Sequence, residues 1–172
     1  RNLCRLLSWA NFADQRTIAQ DGVELRVGLH RKGFAAARWE LLSEHAEGLV
    51  VMSGCKRFGL IPRLLRAGRR EDAGEVASRL REICGDRFFL ELQSHMLPDD
   101  PWLTAALAEL GRALDIPCVA TNDVHLLGPQ DKPLQDVLVS IRERASLDEM
   151  EGRGYLAPNS ERRVKNREEM EE

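Results

Sequence analysis

Five side chains stand where they could do chemistry together. Asp123 and His125 are two apart in Thr121-Asn122-Asp123-Val124-His125, Cys55 closes Ser53-Gly54-Cys55, and Glu91 and His95 occupy Leu90-Glu91-Leu92-Gln93-Ser94-His95. In extended backbone, residues two apart point to the same side, so the Asp123 carboxylate and the His125 imidazole would face one cavity. Carboxylate with imidazole suits Zn, Mn or Fe, and a nearby thiolate tilts the choice towards Zn. A divalent ion there would lower the pKa of its water towards neutrality and ready it to attack phosphorus.

Each residue also has a plainer reading. A lone Asp-x-His is as readily a helix-capping Asp beside a surface His. Cys55 taken alone is a buried thiol. Glu91 lies in an otherwise apolar run, where an unpaired carboxylate is expensive. It is therefore a ligand, an orienter of a His or a buried ion-pair partner. His95 is a rim residue or a solvated loop His. His45 ends a helix, where a cation complements the dipole, and His30 sits in a basic loop; neither is given a role.

The elements that must position these residues favour the sharper reading. Leu49-Val50-Val51-Met52, Phe88–Leu92 and Ile116–Thr121 are short apolar runs that read as strands. Between the first two, Ala73, Val76, Ala77, Leu80, Ile83 and Cys84 recur at helical spacing and Gly85 stops the pattern. Pro101 opens a second helix through Leu103, Ala106, Leu107, Leu110, Ala113 and Leu114. Leu134, Val137, Leu138 and Ile141 mark a third, Asn2–Phe12 and Trp39–His45 look helical, and Gly22–Leu29 reads as an irregular strand. Strand alternating with helix implies an α/β fold with parallel strands, and unbroken apolar strands fit a sheet buried on both sides. In such folds ligands collect beyond the carboxyl ends of the strands. Each of the three strands is followed there by a potential metal ligand.

Composition excludes other classes. The net charge is −3, whereas a domain gripping duplex DNA unaided is usually basic; Arg63, Arg66, Arg69 and Arg70 read as a solvated helix end. No apolar run is long enough for a membrane span. Cysteines 4, 55, 84 and 118 form no C-x-x-C pair, so neither a disulfide framework nor a zinc ribbon is indicated, and a reducing cytoplasm is the default. Cys4, Cys84 and Cys118 are expected to be small buried hydrophobes. Three strands cannot close a barrel, so the chain reads as a fragment.

Leu49–Cys55 (LVVMSGC), Phe89–His95 (FLELQSH) and Val119–His125 (VATNDVH), followed by Leu134-Gln135-Asp136-Val137-Leu138, resemble the PHP domain of bacterial C-family DNA polymerases, the polymerase III alpha subunits. Arg1-Asn2-Leu3-Cys4-Arg5-Leu6-Leu7 is similar to a run midway through that domain. Pro158–Arg163 and Arg167–Met170 resemble the error-prone, damage-tolerant branch. The resemblance implies the C-terminal half of a distorted (β/α)7 barrel over residues 1–145 and a polar connector, residues 146–172, with a little helix at its end, leading to a polymerase core. It implies that Cys55, Asp123 and His125 belong to a cluster binding Zn or Mn, with Glu91 and His95 as further ligands or their supports. The expected parent is a DNA-directed DNA polymerase using Mg, with DNA, deoxynucleoside triphosphates and replisome or mutasome subunits as partners. The PHP site would be a 3′–5′ exonuclease or phosphoesterase, and the fragment alone would be inactive. The alternatives are a stand-alone phosphoesterase resembling histidinol phosphatase and a non-catalytic scaffold.

Overall fold

The computed structural model describes residues 1–12 and 39–171; the expected strand at Gly22–Leu29 and His30 lie outside them. The chain divides into two compact units, Arg1–Val51 with Ser78–Phe88, and Met52–Ala77 with Phe89–Glu172. In the first, helices α1 (Asn2–Phe12) and α2 (Trp39–His45) pack together. Asn2 Nδ2 donates to Glu47 O at 3.0 Å, and the Arg79 guanidinium stacks 4.7 Å from the Trp39 ring centre, a cation–π contact.

Strands β1 (Val51–Met52), β2 (Phe88–Gln93) and β3 (Cys118–Thr121) form one sheet in the order β1-β2-β3. β2 and β3 pair in parallel, with Leu90 opposite Cys118 and Gln93 opposite Thr121. Helices α3 (Leu60–Arg66) and α4 (Arg70–Cys84) come between β1 and β2, and α5 (Asp100–Leu114) between β2 and β3. The alternation read from the apolar runs is the alternation observed.

Local chemistry explains the second unit. Pro101 lies in the first turn of α5, where its missing N–H would have lacked a helical partner anyway. The helix ends on Asp115, left-handed at φ 52°, whose N–H bonds to Gly111 O. Ile61, Leu64 and Leu65 of α3 and Leu103, Leu107 and Leu110 of α5 are buried where these helices pack. Gly111 lets α5 lie close to the strands: a Cβ there would meet Ile116 O at 2.8 Å and Cys118 Sγ at 3.0 Å.

Expectations of burial are corrected for the sheet and for Cys4 and Cys118. Leu90 of β2 is fully buried, but β3 alternates between exposed and half-buried residues. Among the described residues β3 has a strand neighbour on one side only, and Cys118 is exposed; Cys4, on a helix in the first unit, is exposed too, and Cys84 is buried as expected. Helix α6 (Lys132–Glu143) forms, yet Leu134, Val137, Leu138 and Ile141 are exposed.

Two short helices lie within residues 146–171. Ser146 caps α7 (Leu147–Gly152) in a reciprocal box with Glu149, and α8 (Arg167–Glu171) supplies the small terminal helix. Among the described residues no helix is long and apolar enough to cross a membrane.

Candidate metal centre

The loops leaving the three strands are each tied down by polar bonds. After β1, Ser53 N donates to Phe89 O at 3.0 Å and Ser53 Oγ accepts from Glu91 N at 2.9 Å. Gly54 turns the chain at φ 85°, a conformation that favours glycine. The next residue is Cys55, half-buried, its carbonyl accepting from Gly59 N at 2.7 Å.

In β2, Glu91 is not an isolated buried charge, and among the described residues it has no ion-pair partner. Its Oε1 accepts from Thr121 Oγ1 at 2.5 Å and from Gln93 Nε2 at 2.9 Å, and Gln93 Nε2 also reaches Thr121 Oγ1 at 3.1 Å. The carboxylate thus ties the end of β2 to the end of β3.

His95 is buried, which removes the solvated-loop alternative. Its Nε2 lies 3.2 Å from Asn122 O, a carbonyl that can only accept, so Nε2 carries the hydrogen. Burial, aided by the nearby Arg162 and Lys56 cations, holds the imidazole below its ordinary pKa against the opposing Asn122 carbonyl and Asp100 carboxylate. The ring is therefore neutral, and Nδ1 presents a buried lone pair with no partner among the described residues.

After β3, Asp123 adopts φ 43°, which L residues other than Asn and Asp rarely visit. Its Oδ1 is 3.4 Å from His125 Nε2 and its Oδ2 3.3 Å from Arg162 Nη1. The structure brings Asp123 and His125 together, but through a left-handed Asp123 and not through the extended backbone assumed from their spacing; the position is accessible, the side chains being 30% and 42% exposed.

Bonded to the His95 backbone is a buried ion pair. Lys56 Nζ binds Asp100 Oδ1, and Asp100 Oδ2 accepts from the backbone N–H of His95 at 2.6 Å and of Leu97 at 3.1 Å. Burial is the largest single influence on Asp100 and pushes its carboxyl up; the bonds from Lys56 and the two backbone amides together outweigh it, so the pKa falls below its ordinary value. Arg66 pairs with Asp99 beside it.

The description "PHP domain" matches residues 1–95 of the 172. The chain belongs to the PHP domain family. Cys55, Glu91 and His95 fall within the matched stretch, and Asp123 and His125 beyond it. This PHP chain is 43% identical over 103 residues to a DNA polymerase III subunit alpha of Treponema pallidum, covering 59% of this chain and 9% of that protein. It is 37% identical over 131 residues to the one of Thermus aquaticus, covering 76% and 10%. It is 32% identical over 148 residues to an error-prone DNA polymerase of Symbiobacterium thermophilum, covering 86% and 14%. The PHP chain thus spans roughly a tenth of the length of these relatives.

The donor chemistry at Asp123 and His125 fits a divalent cation, an oxygen and a nitrogen side by side, and His95 Nδ1 is a further free donor. Among the described residues, however, no three His, Cys, Asp or Glu side chains gather into a group able to hold a metal ion. Sequence reasoning missed Lys56, Asp100, Asn122 and Arg162. An Asp ahead of a first-turn proline signals helix capping, so Asp100 was legible as a helix start. Nothing along the chain signals that it would meet Lys56, 44 residues away.

Proposed function

We propose that this chain is part of a DNA-directed DNA polymerase of the polymerase III alpha type, and that Asp123 and His125, with Cys55, hold Zn or Mn in a PHP site acting on phosphodiesters. What carries the reading is the similarity to proteins named as DNA polymerases, at 32–43% identity over 59–86% of this chain. Nucleotide transfer, with Mg, DNA and deoxynucleoside triphosphates, then belongs to other parts of the parent, and the 172 residues alone add no nucleotides. An error-prone polymerase is among the relatives, at 32% identity over 86% of this chain, and the damage-tolerant branch, the bacterial cytoplasm and replisome or mutasome subunits as partners are part of the same proposal. In this reading residues 1–145 are the C-terminal half of a seven-stranded β/α barrel, and residues 146–172 lead towards the polymerase core.

A divalent ion, when bound, supplies Lewis-acid activation of water and charge neutralisation at a phosphodiester, as a 3′–5′ exonuclease requires. The chain's own part is to hold Asp123, His125 and Cys55 at the rim. Glu91, occupied by Thr121 and Gln93, supports the rim from beneath. His95 braces Asn122, the residue before Asp123.

A second reading, a non-catalytic scaffold, is favoured by the lack of a three-donor group among the described residues. Metal analysis of the full-length protein separates the two. The metal site predicts stoichiometric Zn or Mn in the wild type and its loss in Asp123→Ala. Exonuclease activity should fall by more than the roughly 10–100-fold that losing an outer partner of a ligand costs, with nucleotide addition unchanged. Equal metal in wild type and variant would defeat the site, and a metal-free wild type would leave the scaffold.

A further inference from the structure

Residues 159–164 lie far along the chain from the strand-end loops, yet they bond to them repeatedly. Asn122 Nδ2 donates to Glu161 O and to Arg163 O, both at 2.7 Å. The carbonyl between those two, Arg162 O, accepts from His125 N at 2.8 Å and Leu126 N at 3.0 Å. Val164 N returns a bond to Leu126 O at 3.0 Å, so Leu126 and Arg163 form an isolated parallel bridge. Asn159 Nδ2 donates to His95 O at 2.7 Å. Lys165 pairs with Glu161 at 2.8 Å and Arg163 with Glu169 at 2.7 Å, bracing the segment itself.

The residue enclosed by these bonds is Asp123. Asn122 before it and His125 and Leu126 after it are all fastened to three successive carbonyls, and the Arg162 guanidinium reaches its carboxylate. Aspartate tolerates the left-handed backbone better than most residues, and here the bonds on both sides of it fix that conformation. The buried Asn122 side chain makes two of those bonds alone.

We propose that residues 159–164 are a positioning strap, anchored through Asn122, that fixes the Asp123–His125 loop so that the pair can share a divalent cation. The strap stands on main-chain geometry; its effect on an ion rests on the metal reading above. Asn122 and the strap act through Asp123 and His125 and touch no ion themselves. Any movement of the chain beyond residue 164 that loosens the strap then weakens the pair's hold on metal.

The test compares full-length wild type with Asn122→Asp, Val164→Pro and Asp123→Asn. Asn122→Asp replaces two donated bonds with a carboxylate facing two carbonyls. Val164→Pro removes one strap donor at an exposed residue and leaves Asn122, Asp123 and His125 in place, so it serves where Asn122→Asp fails to fold. Asp123→Asn removes the charge with a residue that tolerates the left-handed backbone. The measurements are hydrogen exchange at the His125 and Leu126 amides, and affinity and visible spectrum with Co(II) as probe. Both strap variants should exchange at least about tenfold faster at those amides and bind Co(II) about tenfold more weakly with an altered spectrum. Asp123→Asn should weaken Co(II) binding with exchange unchanged. Unchanged exchange in both strap variants overturns the strap. Faster exchange with Co(II) affinity and spectrum intact overturns its positioning role. Wild-type Co(II) binding in Asp123→Asn overturns the metal reading, and the exchange measurement alone then decides the strap.

Discussion

Lys56 and Asp100 put a full ion pair out of water, which is tolerable because backbone amides of His95 and Leu97 fill the remaining carboxylate positions. Burial beside the same groups holds the protonation of His95 down. Both groups respond to acid in the same sense. Asp100 is held below its ordinary pKa, so the stability it contributes is present above the unfolded carboxyl value and lost as pH falls through the folded one. His95 is likewise depressed, by burial first. Between its folded value and the unfolded one of about 6.5, the unfolded chain binds a proton that the folded chain refuses. Stability from a neutral His95 is therefore complete above that unfolded value and declines as pH drops below it. The urea midpoint of the wild type should be lower at about pH 5 than at about pH 8, and His95→Gln should narrow the difference. An equal difference in the variant would assign the acid sensitivity to other groups.

Loop and helix placement depend on two glycines, Gly59 and Gly111, whose missing side chains leave room for backbone. Gly59 is crossed by the loop that carries Cys55: a Cβ there would meet the carbonyls of Ser53 and Gly54 at 2.7 Å and of Cys55 at 2.8 Å. Carbonyls cannot swing aside as the end of a long side chain can, so the loop itself must shift. Gly59→Ala should cost about 1–3 kcal/mol by urea denaturation. Alkylation of Cys55 should also change several-fold in rate while Cys118, on β3, reacts as before. Unaltered labelling of Cys55 would mean that the loop absorbs the extra methyl without moving its thiol. These contacts also explain how much could be read from the chain alone. Phe88–Gln93 and the helices after Arg70 and Pro101 declare themselves because apolar periodicity is local. Asp123 and His125 declare themselves by residue type and by their place just past an apolar run, which is local too, whereas the left-handed backbone at Asp123 is not what their spacing implies. The bonds from Asn122 to residues 161 and 163, the pairing of Lys56 with Asp100 and the closeness of Gly59 to Ser53 and Gly54 arise from tertiary folding, and no periodicity announces them. The exposure of Cys118 belongs with these: its apolar run is legible, its place in the last strand of the sheet is not.

For the molecule as a whole, the informative surface is α6. Leu134, Leu138 and Ile141 are 62%, 52% and 68% exposed, with Val137 beside them at 39%, although their spacing is that of a helix face meant for burial. α7 packs against α6 and leaves these side chains bare. Single exposed leucines are ordinary, but a contiguous helical stripe of them drives association in water. Prepared alone, the 172-residue chain should therefore associate with rising concentration, and the double substitution Leu138→Lys with Ile141→Lys should shift it towards monomer in sedimentation velocity. Because both positions are already in solvent, each substitution should change stability by no more than about 0.5 kcal/mol. A loss of about 2 kcal/mol or more would mean that the stripe is packed within the chain, whereas association that persists in the double variant would move its source to another surface, for which exposed Val50, Met52 and Phe58 are the next residues to replace.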